Sequence, residues 1–359
     1  MRGACMKKGL KITVRILLIF LVTVLGYAAY VFLAYHRIGD SRAEVEDPVT
    51  EEAAVDKKYK IVSWNIGFGA YEDDFGFFMD GGTEARAWSE ERLIENLSEI
   101  GEKISSQDAD FVLVQEVDTD ATRSYHVDET EIISDSLKGY TSMFAQNYDS
   151  PFLFYPVTQP FGSAKSGIMT FSKYAVTGAE RKELPVETGI TKLLDLDRCY
   201  SKSTVPFDNG KELILYNFHL SAYTSDGKVT TRQLELLLKD MQAEYEKGNY
   251  VIGGGDFNKD VLPDSQVYYG GDVSGYTWVQ PIPEGTFNGF NIDLVCPFDP
   301  DDPVPSCRNA DGPYNPSQII INIDGFLVSD NVEALDANVI DYRFENSDHN
   351  PVYMNFILR

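Results

Sequence analysis

Hydrophobic positions along this chain fall into three regimes. The first is one unbroken run, Ile16 to Tyr35, "ILLIFLVTVLGYAAYVFLAY", twenty residues with no charge among them. That length suffices for a helix to cross a bilayer. The second, residues 37–58, is polar, acidic and nearly free of aromatics, and reads as a flexible linker. From Tyr59 to Arg359 short apolar runs alternate with turn formers to the last residue, with no second linker and no internal repeat.

Two periods recur in that third regime. "KIVSWNI", "FVLVQEV", "SGIMTFS", "ELILYNFHL", "YVIGGGD", "IDGFLVS" and "PVYMNFIL" are rich in β-branched and aromatic residues and predict strands. Leu93, Leu97, Ile100 and Ile104 recur at helical spacing behind Ser89, an N-cap with Glu90 and Glu91 in the first turn. Leu234, Leu237, Leu238, Met241 and Tyr245 mark a second helix, which Gly248 stops. The loose alternation predicts one α/β domain over residues 59–359. Its expected architecture is two packed sheets with helices on their outer faces, preceded by one transmembrane helix.

Composition changes the picture in two places. The formal net charge of −25 opposes indiscriminate binding to phosphate backbones, which rests on Lys and Arg displacing counterions. A phosphate-bearing substrate stays open if bound cations supply the local positive charge. Arg2, Lys7, Lys8, Lys11 and Arg15 precede the apolar run with no acid among them, so residues 1–15 are expected in the cytoplasm. A cleaved signal peptide would have a shorter apolar core and small residues after it. Here Tyr35-His36-Arg37 follow, favouring an uncleaved single-pass anchor over residues 16–36 of a cell membrane. The domain would then be extracytoplasmic. Of four cysteines, Cys296 and Cys307 flank a Pro/Asp-rich loop, and a bridge or two free thiols are both open.

Candidate chemistry sits at strand ends. Asn65, Glu116, His219, Asp256, Asn258 and Asp324 each edge an apolar run, and Ser347-Asp348-His349 precede the last strand. Any one of these is an ordinary turn former. Burying several carboxylates together, however, is prohibitive without a compensating cation. Asn65, Glu116, Asp256, Asn258 and Asp348 offer hard oxygens, which suit Mg²⁺, Mn²⁺ or Ca²⁺ better than zinc. His219 and His349, two of the four histidines, can move protons or donate to an anionic transition state. In "YVIGGGDFNKD" the pleat puts Asp256 and Asn258 on one face and Phe257 on the other, while the glycines leave room for a ligand.

"WN", "QE", "GDFN" and "SDHNP", in that order from Tyr59 to the C-terminus, resemble the endonuclease/exonuclease/phosphatase superfamily of deoxyribonuclease- and sphingomyelinase-like enzymes. The resemblance implies a four-layer sandwich of two mixed β-sheets flanked by helices. It also implies Mg²⁺-dependent hydrolysis of a phosphoester (Mn²⁺ or Ca²⁺ being possible) by in-line attack of water. By the same resemblance Asn65, Glu116 and Asp348 look like metal-site residues. Asp256 and Asn258 look like the pair that positions or deprotonates the water and holds the phosphate. His349 would contact the phosphoryl group, oriented by Asp324, and His219 matches the second histidine of nuclease and sphingomyelinase members. Either Asp256 or the Asp324–His349 pair would take the water's proton. Nucleic acid, phospholipid headgroups, inositol phosphates and small phosphodiesters all remain substrate classes. A catalytically silent binding domain is the alternative of another class, and the filled motif positions weigh against it. Arg198 and Arg232 read as surface or structural residues, and Phe75, Phe77 and Phe78 as core.

Overall fold

The computed structural model describes residues 2–187, 197–222, 227–263, 265–271, 273, 275–276 and 278–359. Helix α1 (Arg2–Ala34) contains a stretch, Lys8–Ala34, long and apolar enough to cross a membrane, and none of its most apolar window is buried. Strands β1 (Ser41–Arg42) and β2 (Val45–Glu46) follow. The first half of the domain runs β3 (Tyr59–Asn65), α2 (Glu90–Ser106), β4 (Phe111–Ala121), α3 (Glu129–Ser136), β5 (Thr141–Leu153), β6 (Gly162–Ser172) and β7 (Gly178–Glu183). Then come β8 (Cys199–Pro206), β9 (Glu212–His219), α4 (Lys228–Glu246), β10 (Tyr250–Asp256), α5 (Ser265–Tyr269) and β11 (Ile292–Val295). The chain closes with β12 (Cys307–Arg308), β13 (Ile320–Ile321), β14 (Asp324–Ser329), β15 (Val332–Val339) and β16 (Val352–Leu358).

Two seven-stranded sheets form, in the orders β1-β7-β8-β9-β10-β14-β11 and β15-β16-β3-β4-β6-β5-β2. Each is mixed, because β9 runs parallel to β10 and β3 to β4 among antiparallel neighbours. The two-residue side-chain period explains the layering. Tyr59 and Ile61, Phe111 and Leu113, Leu213 and Leu215, and Tyr250 and Ile252 point between the sheets and build the central core. Their neighbours Val62, Trp64, Val112 and Val114 face outward onto Leu93, Leu97 and Ile100 of α2 and Ile133 of α3. On the other side Ile214, Tyr216 and Val251 meet Leu234, Leu237, Leu238 and Met241 of α4. Each such side chain contributes roughly 1.5–3 kcal/mol by burial. The result is the expected four-layer sandwich. Ser89 caps α2 as expected, its Oγ accepting the Arg92 N–H at 3.2 Å.

The acidic segment 37–58 is not the free tether its composition suggests. β1 adds to the edge of one sheet beside β7, and β2 adds to the other beside β5. Ala53 is fully buried, and the Val49 N–H donates to Thr141 Oγ1 at 2.7 Å. Exposed sheet edges offer unpaired backbone groups, and satisfying them outweighs the polar composition. Cys199, Cys296 and Cys307 are free, and burial pushes each thiol up to about 12.

Candidate active site

The inward-facing rows of four strands turn polar at the same end of the central layer. Tyr59 and Ile61 are followed on that face by Ser63 and Asn65, and Leu213 and Leu215 by Asn217 and His219. Ile252 is followed by Gly254 and Asp256, and antiparallel β14 begins at that level with Asp324. Register aligns them: Asp256 stands opposite His219 on β9 and opposite Asp324 on β14. A buried amide link separates this end from the apolar core, Gln115 Nε2 donating to Asn217 Oδ1 at 2.8 Å and to Ser63 Oγ at 3.1 Å.

Glu116 arrives differently. The register of β4 against β6 slips between Val114 and Val117, and Glu116 takes a left-handed φ of 57°. Such a bulge re-aims one side chain out of the strand's alternation. It brings Glu116 Oε1 to 3.9 Å from His219 Nε2.

Asp256 is the hub. Its Oδ2 lies 3.4 Å from His219 Nε2 and 3.8 Å from His349 Nε2, and accepts from Asn65 Nδ2 at 3.2 Å and Asn258 Nδ2 at 3.3 Å. Burial, despite the nearby His349, raises its carboxyl to about 7. His349 Nδ1 meets Asp324 Oδ2 at 2.8 Å. Burial opposes charge on this ring, but Asp324 and Cys307 hold it well above the usual histidine range. For His219, burial followed by Arg198 and His349 acts the other way and favours the neutral ring. Asp348 borders the same cavity, and burial raises its carboxyl to about 6. That cavity, about 280 Å³, is lined by Glu116, His219, Asp256, Asn258, Asp348 and His349, with Phe77, Met79 and Phe161 on an apolar wall.

The model of the endonuclease/exonuclease/phosphatase family matches residues 62–349, which include all eight of the site residues expected from the sequence. The chain belongs to this family. Membership makes it a phosphoester hydrolase at the level of reaction type. No curated protein matches it in sequence. Among solved structures it is similar to an endonuclease/exonuclease/phosphatase from Beutenbergia cavernae, with TM-score 0.60 and 17% identity over 84% of this chain and 72% of that one. ANGEL2, a 2′,3′-cyclic phosphatase solved with adenosine-2′,3′-vanadate, aligns at TM-score 0.57 and 16% identity over 89% and 99% of the two chains. The human nocturnin catalytic domain with bound sulfate gives 0.54 and 15% over 88% and 97%. At these identities the likeness is one of fold.

Within this family member all eight residues gather at one end of the sandwich, though not always as read from the sequence. Asn258 is outside the strand, at φ 46° in the turn after β10. Its approach to Asp256 comes from that turn, in which Asp256 Oδ1 accepts the Asn258 N–H at 2.7 Å, and not from the pleat. Phe257 does pack on the opposite side, against Phe218. The glycines serve packing more than ligand access. A Cβ on Gly255 would lie 1.9 Å from Phe218 O, and one on Gly254 2.8 Å from Leu113 Cδ1 of the facing sheet. Asn65 turns its oxygen to the Gly67 N–H at 3.0 Å and its amide nitrogen to Glu116 and Asp256. So placed, its amide nitrogen orients the two carboxylates.

Sequence reasoning missed two residues. Ser306 Oγ donates to Asp324 Oδ2 at 2.7 Å and fixes the carboxylate behind His349. Arg198, read as surface or structural, is buried in the cavity wall, 3.5 Å from the His219 carbonyl. Both lie in irregular stretches without a periodic pattern to mark them. Arg232 is exposed as expected, and Phe75 and Phe77 are core.

The donors present suit a hard divalent cation. Glu116, Asp256 and Asp348 border one small cavity, and burial raises Asp256 and Asp348, the mark of carboxylates short of positive charge. Asp256, Asp324 and His349 also bring one ligand atom each within 4.8 Å of one another. In that trio, however, His349 Nδ1 is already engaged by Asp324.

Proposed function

We propose that this chain is a divalent-metal-dependent phosphodiesterase, anchored by α1 with its catalytic domain on the extracytoplasmic side of a membrane. One observation carries the reading. Glu116, His219, Asp256 and His349 are linked by successive approaches of 3.9, 3.4 and 3.8 Å, at the end of a buried layer that supplies more acids than cations. Basic residues before the apolar helix support the orientation.

Glu116 and Asp348 would hold the metal, Mg²⁺ by the hardness of its ligands, with Asn65 steadying Glu116. When bound, that ion would neutralise charge on the phosphoryl oxygens and on the leaving oxygen. Asp256 would accept a proton from the attacking water as its oxygen bonds to phosphorus. The bond from phosphorus to the leaving alcohol breaks in line, and that oxygen takes up a proton. His349, kept charged by Asp324, would donate from Nε2 to the phosphoryl group, and His219 would donate where negative charge grows. Asn258, whose Nδ2 donates to the Leu220 carbonyl and to Asp256, would hold Asp256 in place. Ser306 holds Asp324 in place for this.

The test uses the full chain in detergent, with bis-p-nitrophenyl phosphate as substrate. Hydrolysis should need added Mg²⁺ and stop with chelator. Turnover that chelator leaves untouched would remove the metal from the reading, and no turnover with any of Mg²⁺, Mn²⁺ or Ca²⁺ would favour the silent binding domain.

A further inference from the structure

The β5–β6 hairpin reaches back along the membrane-span candidate. Tyr27 Oη donates to Phe152 O at 3.1 Å and accepts the Phe154 N–H at 3.0 Å, and Tyr30 Oη accepts the Phe152 N–H at 3.1 Å. The Phe154 ring stands edge-on to Tyr27, with centroids 6.3 Å apart. Tyr27 precedes the end of α1 by two turns, so the hairpin tip extends about 10 Å back along the helix. The helix exit is fastened to the domain as well: His36 lies 3.3 Å from Asp149 and Arg37 3.2 Å from Asp197. With α1 across a bilayer, the tip lies at the depth where tyrosines form the interfacial belt.

That tip is apolar and uncovered. Phe154 is 55% exposed, Tyr155 70% and Val157 71%. Its edge backbone groups at residues 152 and 154 are satisfied by the two tyrosines, which lowers the cost of leaving bulk water. From the tip, ring contacts lead to the cavity. Tyr155 meets Phe78 at 5.8 Å, Phe78 meets Phe161 at 6.4 Å, and Phe161 lines the cavity beside Phe77 and Met79. Ring contacts thus connect the hairpin tip to the apolar side of the cavity.

We infer that the substrate is a phosphodiester of a zwitterionic membrane lipid, taken directly from the bilayer. The hairpin tip would sit in the interface, the aromatic wall would receive the upper part of the lipid's tail, and the phosphate would reach Asp256 and His349. Exposed apolar patches that continue a membrane anchor fit a lipid surface. The net charge of −25 works against a polyanionic nucleic acid but not against a lipid of zero net charge. Water's oxygen would bond to phosphorus and one ester oxygen would leave with a proton, giving a phosphomonoester and an alcohol. This inference rests on the phosphodiesterase reading above.

The experiment reconstitutes the full chain in nanodiscs of phosphatidylcholine and phosphatidylethanolamine with Mg²⁺. It follows lipid phosphomonoester release and, in the same sample, hydrolysis of bis-p-nitrophenyl phosphate. Lipid hydrolysis should occur, and the triple variant Phe154→Ser, Tyr155→Ser, Val157→Ser should slow it about tenfold or more while soluble-substrate turnover stays within about twofold. Phe154→Trp should add fluorescence that lipids brominated near the headgroup quench, above the response of the three native tryptophans. Soluble-substrate turnover without lipid turnover, faster cleavage of an RNA oligonucleotide than of lipid, or an unquenched Trp at position 154 would each overturn the inference. Turnover of neither substrate would instead fell the phosphodiesterase reading, and the lipid with it.

Discussion

On β4, Glu116 and Asp118 are separated by one residue yet meet their surroundings in opposite ways. Asp118 is fully buried and held through both oxygens by Arg123, at 2.9 and 2.8 Å, with Ser124 Oγ adding a third bond at 2.9 Å. The Arg123 guanidinium lies 3.9 Å from the Phe68 ring centroid. Glu129 Oε2 accepts the Asp118 N–H at 2.9 Å, and burial followed by Asp118 raises its carboxyl well above the usual range. That cluster is closed by its own arginine. Glu116 instead faces Asp256 and Asp348. Among the described residues these three form no ion pair with lysine or arginine; histidines approach Glu116 and Asp256, and Arg308 acts on Asp348 only from farther off. A charge compensated within the chain is structural, and one left for something else to compensate marks a site.

The largest effects should separate the two clusters cleanly. Asp256→Asn and His349→Ala should each cut turnover by about 10²–10⁴-fold while leaving the melting temperature unchanged or higher. Near-wild-type turnover in both would erase the distinction. Arg123→Met strands Asp118 and should cost about 3–5 kcal/mol in urea unfolding. If it costs less than Asp256→Asn, the wrong cluster has been assigned the structural role.

A smaller effect concerns pH. Asp256 and Glu129 both have folded-state values above those of the unfolded chain. Stability from such carboxyls is complete below the unfolded value, near 4, and is lost as pH rises through the folded value, about 7 for Asp256. Without divalent cation the protein should therefore melt several degrees lower at pH 8 than at pH 5. Mg²⁺ should recover more at pH 8, where the cleft carboxylates are ionised, and Glu129→Gln should flatten the pH slope without altering the Mg²⁺ response. An equal Mg²⁺ response at both pH values would break the comparison. Smallest should be Ser306→Ala, which loses one hydrogen bond to a carboxylate, about 1.5–3 kcal/mol, and weakens the orientation of His349. Its signature is a lowered kcat with unchanged KM.

Much of the site was legible because strand ends announce themselves. His219, Asp256 and Asp324 each bound an apolar run, and a two-residue period assigns their face without any coordinates. Less legible were contacts that depend on where loops return. Ser306 lies in "VPSCRNA", a stretch with no period, and reaches Asp324 only because β14 starts beside it. Segment 37–58 looked unstructured because composition measures burial of side chains, whereas its ordering comes from backbone pairing at two sheet edges.

By itself, the sequence determined the apolar helix, the strands and amphipathic helices, and the set of polar residues available at strand ends. Local periodicity encodes these, and it needs no partner to be read. The tertiary structure decided which end of the Asn65 amide faces the carboxylates, how a bulge re-aims Glu116, and that the β5–β6 hairpin lies along α1. Each of these depends on groups far apart in the chain, whose meeting is fixed by the packing of two sheets and by nothing in any single segment.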